Sequence, residues 1–317
     1  MIIVQTPLRI SLFGGGTDFP AYYEEHGGCV LSTAINKYIY VVINKRTDRR
    51  VRVSCTHLQT VSSIDKIKHD LIREVIKKTG MGKGVDIYTI GDIPAGTGLG
   101  SSSSVTVGLL KAMHEYLGES VSQEQIAKEA CDIERNVLGK PIGVQDQYIA
   151  SFGGFRFMDF SKSGVGVSKK MDGRKLNERL LMFFTGFFRK SEEILTEQNQ
   201  SIEKNVIWLK EMEIITRKAL EELGNENYDA LGWMLNQSWT LKKKLSSNIS
   251  NEKLDSMYKL AMDAGALGGK ITGAGGGGYL LVYTTPDKRE DVRKALKDYQ
   301  ELPFNFEPDG SKVVYNK

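Results

Sequence analysis

Glycine is the residue that most constrains this chain. Its 317 residues include 33 glycines, and three short segments concentrate them. The first is Pro7-Leu8-Arg9-Ile10-Ser11-Leu12-Phe13-Gly14-Gly15-Gly16-Thr17-Asp18. The second is Pro94-Ala95-Gly96-Thr97-Gly98-Leu99-Gly100-Ser101-Ser102-Ser103-Ser104. The third is Lys270-Ile271-Thr272-Gly273-Ala274-Gly275-Gly276-Gly277-Gly278. Glycine has no Cβ, so it reaches φ > 0 and lets a backbone approach another backbone or a ligand, at an entropic cost in regular structure. A tight turn needs one or two glycines; five in six positions, as over 273–278, ask for something pressed against the loop.

Strand and helix patterns mix between these clusters. Residues 1–13 and 29–43 read as strands, with a basic strand pair near 44–54. Ile67, Leu71, Ile72, Val75 and Ile76 repeat at helical spacing over 66–79, and Gly80 ends that helix. Val85 to Ile90 alternates as a strand. Val105, Leu109, Met113 and Leu117 recur every fourth residue, which predicts a helix over 101–117 with one apolar stripe. Further helices are predicted over 122–138, over 191–265 in three pieces, and from Pro286; further strands over 153–160, 181–184, 279–283 and 313–315. The chain therefore reads as α+β, with α/β mixing throughout. It is longer than one small core usually holds. The Gly-, Ser- and Lys-rich segment 161–175 is the expected boundary between an N-terminal domain over 1–165 and a C-terminal one over 166–317.

Composition excludes several classes. Lys plus Arg is 43 and Asp plus Glu 39, a net charge of +4, too weak to argue for nucleic acid. The longest apolar runs, Tyr38 to Ile43 and Tyr279 to Tyr283, are too short to span a membrane. The N-terminus has no basic segment or cleavage signature of a secretory signal. Cys29, Cys55 and Cys131 are scattered and form no CxxC pair, which fits a reducing cytoplasm and no zinc site.

The second cluster lies between a predicted strand and a predicted helix. Serines at a helix start meet free N–H groups and the positive dipole end, which favour an anion. Hydroxyls there also suit phosphate oxygens or a magnesium ion. A plain N-cap needs one serine, not four after three alternating glycines. No P-loop is present: Gly265-Ala266-Leu267-Gly268-Gly269-Lys270 comes nearest, with its first glycine one residue too close and Ile271 in the Ser/Thr place. The spacing G-x-G-x-G, deep in the chain, also departs from the Rossmann fingerprint. In the first cluster, an arginine within a hydrophobic strand needs a carboxylate or phosphate acceptor. Asp18 is either a sugar-hydroxyl acceptor or an ordinary solvated turn aspartate.

Taken in order, PLRISLFGGGTD, PAGTGLGSSSS and KITGAGGGG resemble the three motifs of the GHMP kinase superfamily, which includes galactokinase, homoserine kinase, mevalonate kinase and phosphomevalonate kinase. Within it, RISLFGGGTDFPAYYEEHGG, VLSTAINKYIYV and the segment from Phe184 to Gln198 resemble the D-glycero-D-manno-heptose 7-phosphate kinases. Galactokinases place Glu-His before the Thr-Asp pair, where this chain has Gly15 and Gly16, leaving room for a bulkier or phosphorylated sugar.

The resemblance implies a two-lobed fold of mixed sheets and helices with the active site between the lobes. It implies ATP and Mg²⁺, with Gly96 to Ser104 on the nucleotide phosphates and the metal between Ser102 and Glu134. Asp146, in Gly143-Val144-Gln145-Asp146-Gln147, would take the proton of the sugar hydroxyl, with Arg9 beside it. Arg9, Gly15, Gly16, Thr17, Asp18, Gly143, Asp146, Gly273, Ala274 and Gly275 would surround the sugar. Lys37, Arg189 and Lys190 are candidates for the sugar's own phosphate. The reading is a sugar 1-kinase, monomeric or homodimeric, that makes a heptose 1,7-bisphosphate. Its alternatives are a fucose-, galactose- or glucuronate-type 1-kinase and a non-catalytic regulator that binds sugar and ATP.

Overall fold

The computed structural model describes residues 1–55, 57–188 and 191–317. In chain order its strands are β1 (Ile2–Phe13), β2 (Gly28–Lys45), β3 (Val51–Ser54), β4 (Leu58–Val61), β5 (Val85–Gly91), β6 (Phe155–Ser161), β7 (Gly164–Val167), β8 (Leu180–Phe184), β9 (Gly268–Ile271), β10 (Tyr279–Tyr283) and β11 (Lys312–Asn316). The helices are α1 (Pro20–His26), α2 (Asp70–Thr79), α3 (Ser101–Leu117), α4 (Gln123–Cys131), α5 (Gln145–Phe152), α6 (Arg174–Asn177), α7 (Ser191–Gln200), α8 (Ile202–Gly224), α9 (Tyr228–Lys242), α10 (Glu252–Asp263) and α11 (Arg289–Ala295). The architecture is α+β, with a large sheet and a small one.

The larger sheet is built around β1 and β2, which pair antiparallel from Ile2↔Ile43 to Phe13↔Leu31. The far edge of β2 is shared: β6 takes its start and β5 its end. β3 joins β5 in parallel, β4 follows it, and β7 forms a hairpin with β6. The expected boundary at 165/166 falls within β7, and β11 returns from the chain's end to pair with β1. With neighbours on both edges, β1 is buried along nearly all its length. Pro7 offers no N–H to the ladder, and the β1–β2 register shifts between Pro7 and Leu8. Just beyond that shift the Arg9 amide donates to the Leu99 carbonyl at 3.0 Å, tying β1 to the second glycine cluster.

Helix α3 runs over the residues expected, but one stripe is too narrow a description. Leu109 and Met113 are buried and so are Val107, Leu110 and Ala112, whereas Leu117 is exposed. The helix lies on β1 and β2 and is flanked by α2, α4 and α5, so most of its circumference is covered. The helix expected over 122–138 starts on a Ser122 cap that accepts the Gln125 amide at 3.1 Å. It then widens into a π-type turn over Asp132–Val137. The helical stretch after 191 has four pieces, not three. Its extra break, at Ser201, lacks the glycine or proline that marks a stop in sequence. These helices and α11 pack with the antiparallel sheet β8-β10-β9 around a second apolar cluster that includes Trp239, Ile249, Leu280 and Val282.

Candidate active site

All three glycine clusters meet at one cleft of about 620 Å³, lined among others by Gly15, Gly16, Asp18, Gly96, Gly98, Gly100, Gly273 and Ala274. The third cluster's glycines answer to the second. A Cβ on Gly98 (φ +76°) would stand 2.4 Å from the Thr272 carbonyl oxygen, and one on Gly278 2.2 Å from that of Thr97. The Thr272 hydroxyl donates to the Thr97 carbonyl at 2.9 Å. Two loops distant in sequence thus lie backbone against backbone, and the third cluster sets the shape of the loop before α3.

Arg9 projects from β1 to the start of α5. Its Nε and Nη2 donate to Asp146 Oδ1 and Oδ2, both at 2.7 Å, and Nη1 donates to the Gly98 carbonyl at 2.6 Å. The acceptor that a buried arginine requires is therefore Asp146. Its carboxylate is 24% exposed, against 7% for the Arg9 side chain, and both residues line the cleft.

Asp18 is a buried carboxylate, not a solvated turn residue. It accepts the Gly16 amide at 2.9 Å and the Gln145 amide at 3.3 Å. A Cβ on Gly143 would fall 1.9 Å from Asp18 Oδ2, so glycine there makes room for this carboxylate. Asp18 locks the first glycine cluster to the segment that presents Asp146.

Glu134 sits fully buried on the π-type turn. Its Oε2 accepts from the Ser103 hydroxyl at 3.0 Å and from Gln147 Nε2 at 3.2 Å, while Oε1 has no hydrogen-bond partner among the described residues. Burial pushes its pKa up, against the pull of the Thr106 and Ser103 hydroxyls and the Lys140 charge. Ser102 is exposed at the start of α3 and lines the same cleft as Glu134. One hydroxyl and one carboxylate with an unpartnered oxygen fit Mg²⁺, which keeps waters and draws its other ligands from nucleotide phosphates. No cluster of three or more His, Cys, Asp or Glu residues suited to a metal occurs among the described residues.

Other residues singled out in the sequence lie elsewhere. Ser104 is buried, with its hydroxyl on the Pro7 carbonyl at 2.8 Å. Thr97 and Leu99 are buried behind the loop, and the Thr17 hydroxyl closes the turn onto the Gly14 and Cys29 carbonyls, both at 2.9 Å. Gly275 packs on Ile249. Lys37 lines a separate surface groove with Asn36 and Arg289, so it does not reach the cleft. Arg189 and Lys190 lie outside the described residues; Ser191, which follows them, lines the cleft.

Sequence reasoning missed Ser11, Gln145, Lys140 and Lys242, all in the cleft wall. Ser11 and Gln145 stand inside quoted motifs. Lys242 had no signal: Lys242-Lys243-Lys244 reads as a solvated face, yet Lys242 is only 4% exposed. Lys270, at the head of the third cluster, is buried beneath the cleft and donates to the Ser11 and Leu12 carbonyls at 3.0 and 3.2 Å. Burial, then the charges of Lys242 and Arg9, pull its pKa down to about 7, with Asp18 opposing them.

A family model described as GHMP kinases N terminal domain matches residues 66–154, and one described as GHMP kinases C terminal matches 217–301. The chain is 34% identical to the D-glycero-alpha-D-manno-heptose 7-phosphate kinase of Campylobacter jejuni, over 98% of both chains. It is also 34% identical to the mevalonate kinase of Thermococcus onnurineus, over 72% of this chain and 67% of that protein. The crystal structure of a D-glycero-D-manno-heptose 1-phosphate kinase from Bacteroides thetaiotaomicron superposes with a TM-score of 0.84 at 27% identity, over 100% of both chains. The chain belongs to the GHMP kinase family. It is an enzyme, a phosphotransferase.

Proposed function

We propose that this kinase transfers the γ-phosphoryl group of ATP, with Mg²⁺, to the anomeric hydroxyl of D-glycero-D-manno-heptose 7-phosphate, giving the 1,7-bisphosphate and ADP. The observation that carries this reading is the Arg9 fork. One guanidinium holds Asp146 and the Gly98 carbonyl together, so a carboxylate for the acceptor faces a loop for the donor. Asp146 takes the hydroxyl proton as the oxygen attacks the γ-phosphorus, and the bond to the β-phosphate oxygen breaks. The loop over 96–102 and the N-terminus of α3 hold the phosphates. Ile39, Leu71 and Ile93 line an apolar part of the cleft that suits a base. Ser102 and Glu134 hold the magnesium ion, which neutralises phosphate charge when bound.

Support for a phosphorylated heptose comes from the two relatives above, whose names share that sugar but differ in the phosphate position, 7 in one and 1 in the other. Gly15 and Gly16 support it too, because they leave space beside Asp18. We place the enzyme in the cytoplasm, where ATP and sugar phosphates are at hand. The test is a panel of heptose 7-phosphate, heptose 1-phosphate, free heptose, fucose and galactose with ATP and Mg²⁺, the product read by phosphorus NMR. Turnover of heptose 7-phosphate to a 1,7-bisphosphate is expected. A free sugar turned over as well or better would overturn the assignment in favour of another sugar 1-kinase.

A further inference from the structure

Three consecutive residues at the start of α5 reach three different parts of the site. The Gln145 amide donates to Asp18 at 3.3 Å, Asp146 receives the Arg9 fork, and Gln147 Nε2 donates to Glu134 Oε2 at 3.2 Å. The third contact has no part in the phosphoryl-transfer reading above. Gln147 is wholly buried and stands behind the cleft wall, so it acts on the reaction only through Glu134.

Gln147 occupies one oxygen of that carboxylate. The same oxygen, Oε2, already accepts the Ser103 hydroxyl at 3.0 Å, from the first turn of α3. Both donors thus fall on Oε2, and Oε1 is left without a hydrogen-bond partner among the described residues. Thr106 also faces Glu134, but its hydroxyl goes to the Ser102 carbonyl at 3.2 Å. Donors from two helices fix the position of the carboxylate and decide which oxygen stays bare. A bare carboxylate oxygen in the interior is costly, and a cation is a partner that removes the cost.

We propose that Gln147 is a positioning residue for the metal: with Ser103 it holds Glu134 by Oε2 and so leaves Oε1 free to ligate Mg²⁺. The inference rests on the Mg²⁺ reading above and adds the residue that aims its ligand. Asp146 and Gln147 are neighbours on one helical turn, so that turn places both the carboxylate proposed for proton transfer and the one proposed for the metal. Hydrogen-bond partners of a metal ligand, when removed, typically change metal affinity about ten- to a hundredfold.

The test measures binding of a non-hydrolysable ATP analogue by calorimetry, in EDTA and across a Mg²⁺ titration, for wild type, Gln147→Met and Glu134→Gln. Gln147→Met keeps a long unbranched side chain and removes the amide. The wild type should bind the analogue more tightly with Mg²⁺, and Glu134→Gln should lose most of that gain. Gln147→Met should need about ten- to a hundredfold more Mg²⁺ to reach half of it, with the affinity in EDTA unmoved. If Gln147→Met does not fold, Gln147→Asn, whose shorter side chain withdraws the amide from Glu134, carries the same comparison. An unmoved Mg²⁺ titration in the folded variant would overturn the proposal and leave Gln147 as packing. So would a loss of affinity in EDTA as large as that in Mg²⁺, which marks a general loosening of the site. A wild type that gains nothing from Mg²⁺, or a Glu134→Gln enzyme that keeps the whole gain, would sink the metal reading itself.

Discussion

Arg9 and Asp146 meet fork to fork, in two parallel hydrogen bonds of 2.7 Å each. The third arm of the same guanidinium reaches the Gly98 carbonyl at 2.6 Å. One side chain therefore fixes the distance between the Asp146 carboxylate and the loop before α3. Phosphoryl transfer depends mainly on such positioning, so this contact is where substitution should cost most.

Asp146→Asn keeps the shape and removes the carboxylate proposed to take the proton. It should lower kcat by roughly 10²- to 10⁴-fold while ATP still binds, measured by steady-state kinetics alongside nucleotide titration. Arg9→Lys keeps the charge but cannot serve both carboxylate oxygens and the Gly98 carbonyl. It should lower kcat and raise the ATP KM together. Near-wild-type turnover in Asp146→Asn would remove this carboxylate from the mechanism.

Gly98→Ala and Gly278→Ala should share a phenotype although they belong to different motifs. Each adds a Cβ within 2.4 Å of a carbonyl oxygen of the other loop. Either should push the loops apart and raise the ATP KM roughly ten- to a hundredfold, the scale of a 1 Å misplacement. The sugar KM should move little. A Gly278→Ala enzyme with unchanged ATP kinetics would show that the third cluster does not shape the loop.

Neighbouring serines should separate. Ser103 holds Glu134 Oε2, so Ser103→Ala leaves a buried carboxylate with one donor fewer and should cost about 1–3 kcal/mol of stability. Ser102 is exposed in the cleft, so Ser102→Ala should leave the melting temperature alone and raise the Mg²⁺ concentration needed for half-maximal rate. Identical Mg²⁺ titrations for wild type and Ser102→Ala would take Ser102 away from the metal.

Much of this was legible in sequence, for physical reasons. Period-two strands and the helix over 101–117 follow from local pattern, and the glycine clusters mark close backbone approaches that only glycine permits. What faces those glycines is not local. The residues of PLRIS alone do not tell that Arg9 meets Asp146 rather than a phosphate, because the pairing spans most of the N-terminal half; the family resemblance is what set the two side by side. Helix α5 is short and follows Gly143, so it showed no period, although it presents Asp146. Lys242 was hidden because burial of one lysine in a run of three depends on how α9 crosses β1. Ser201 breaks a long helix without a breaker residue, so the count of helices came out one short.

Lys270 supplies a prediction about pH. Burial holds its folded pKa near 7, well below its ordinary 10.5. Arg9, Lys242 and Asp18 are the charged groups that face it. Between these two values the unfolded chain keeps the proton that the folded chain has released. Unfolding then takes up a proton, so stability rises with pH across this window, by at most about 1.4 kcal/mol per unit. Below it both states are protonated and the rise stops. Lys270→Met removes the buried amine and keeps an unbranched side chain of similar length, so its stability should lack this rise. Urea unfolding of both proteins at about pH 7.5 and about pH 9.5 reads the difference directly. Parallel stability curves for wild type and Lys270→Met would mean that Lys270 stays protonated in the fold, held by the Ser11 and Leu12 carbonyls.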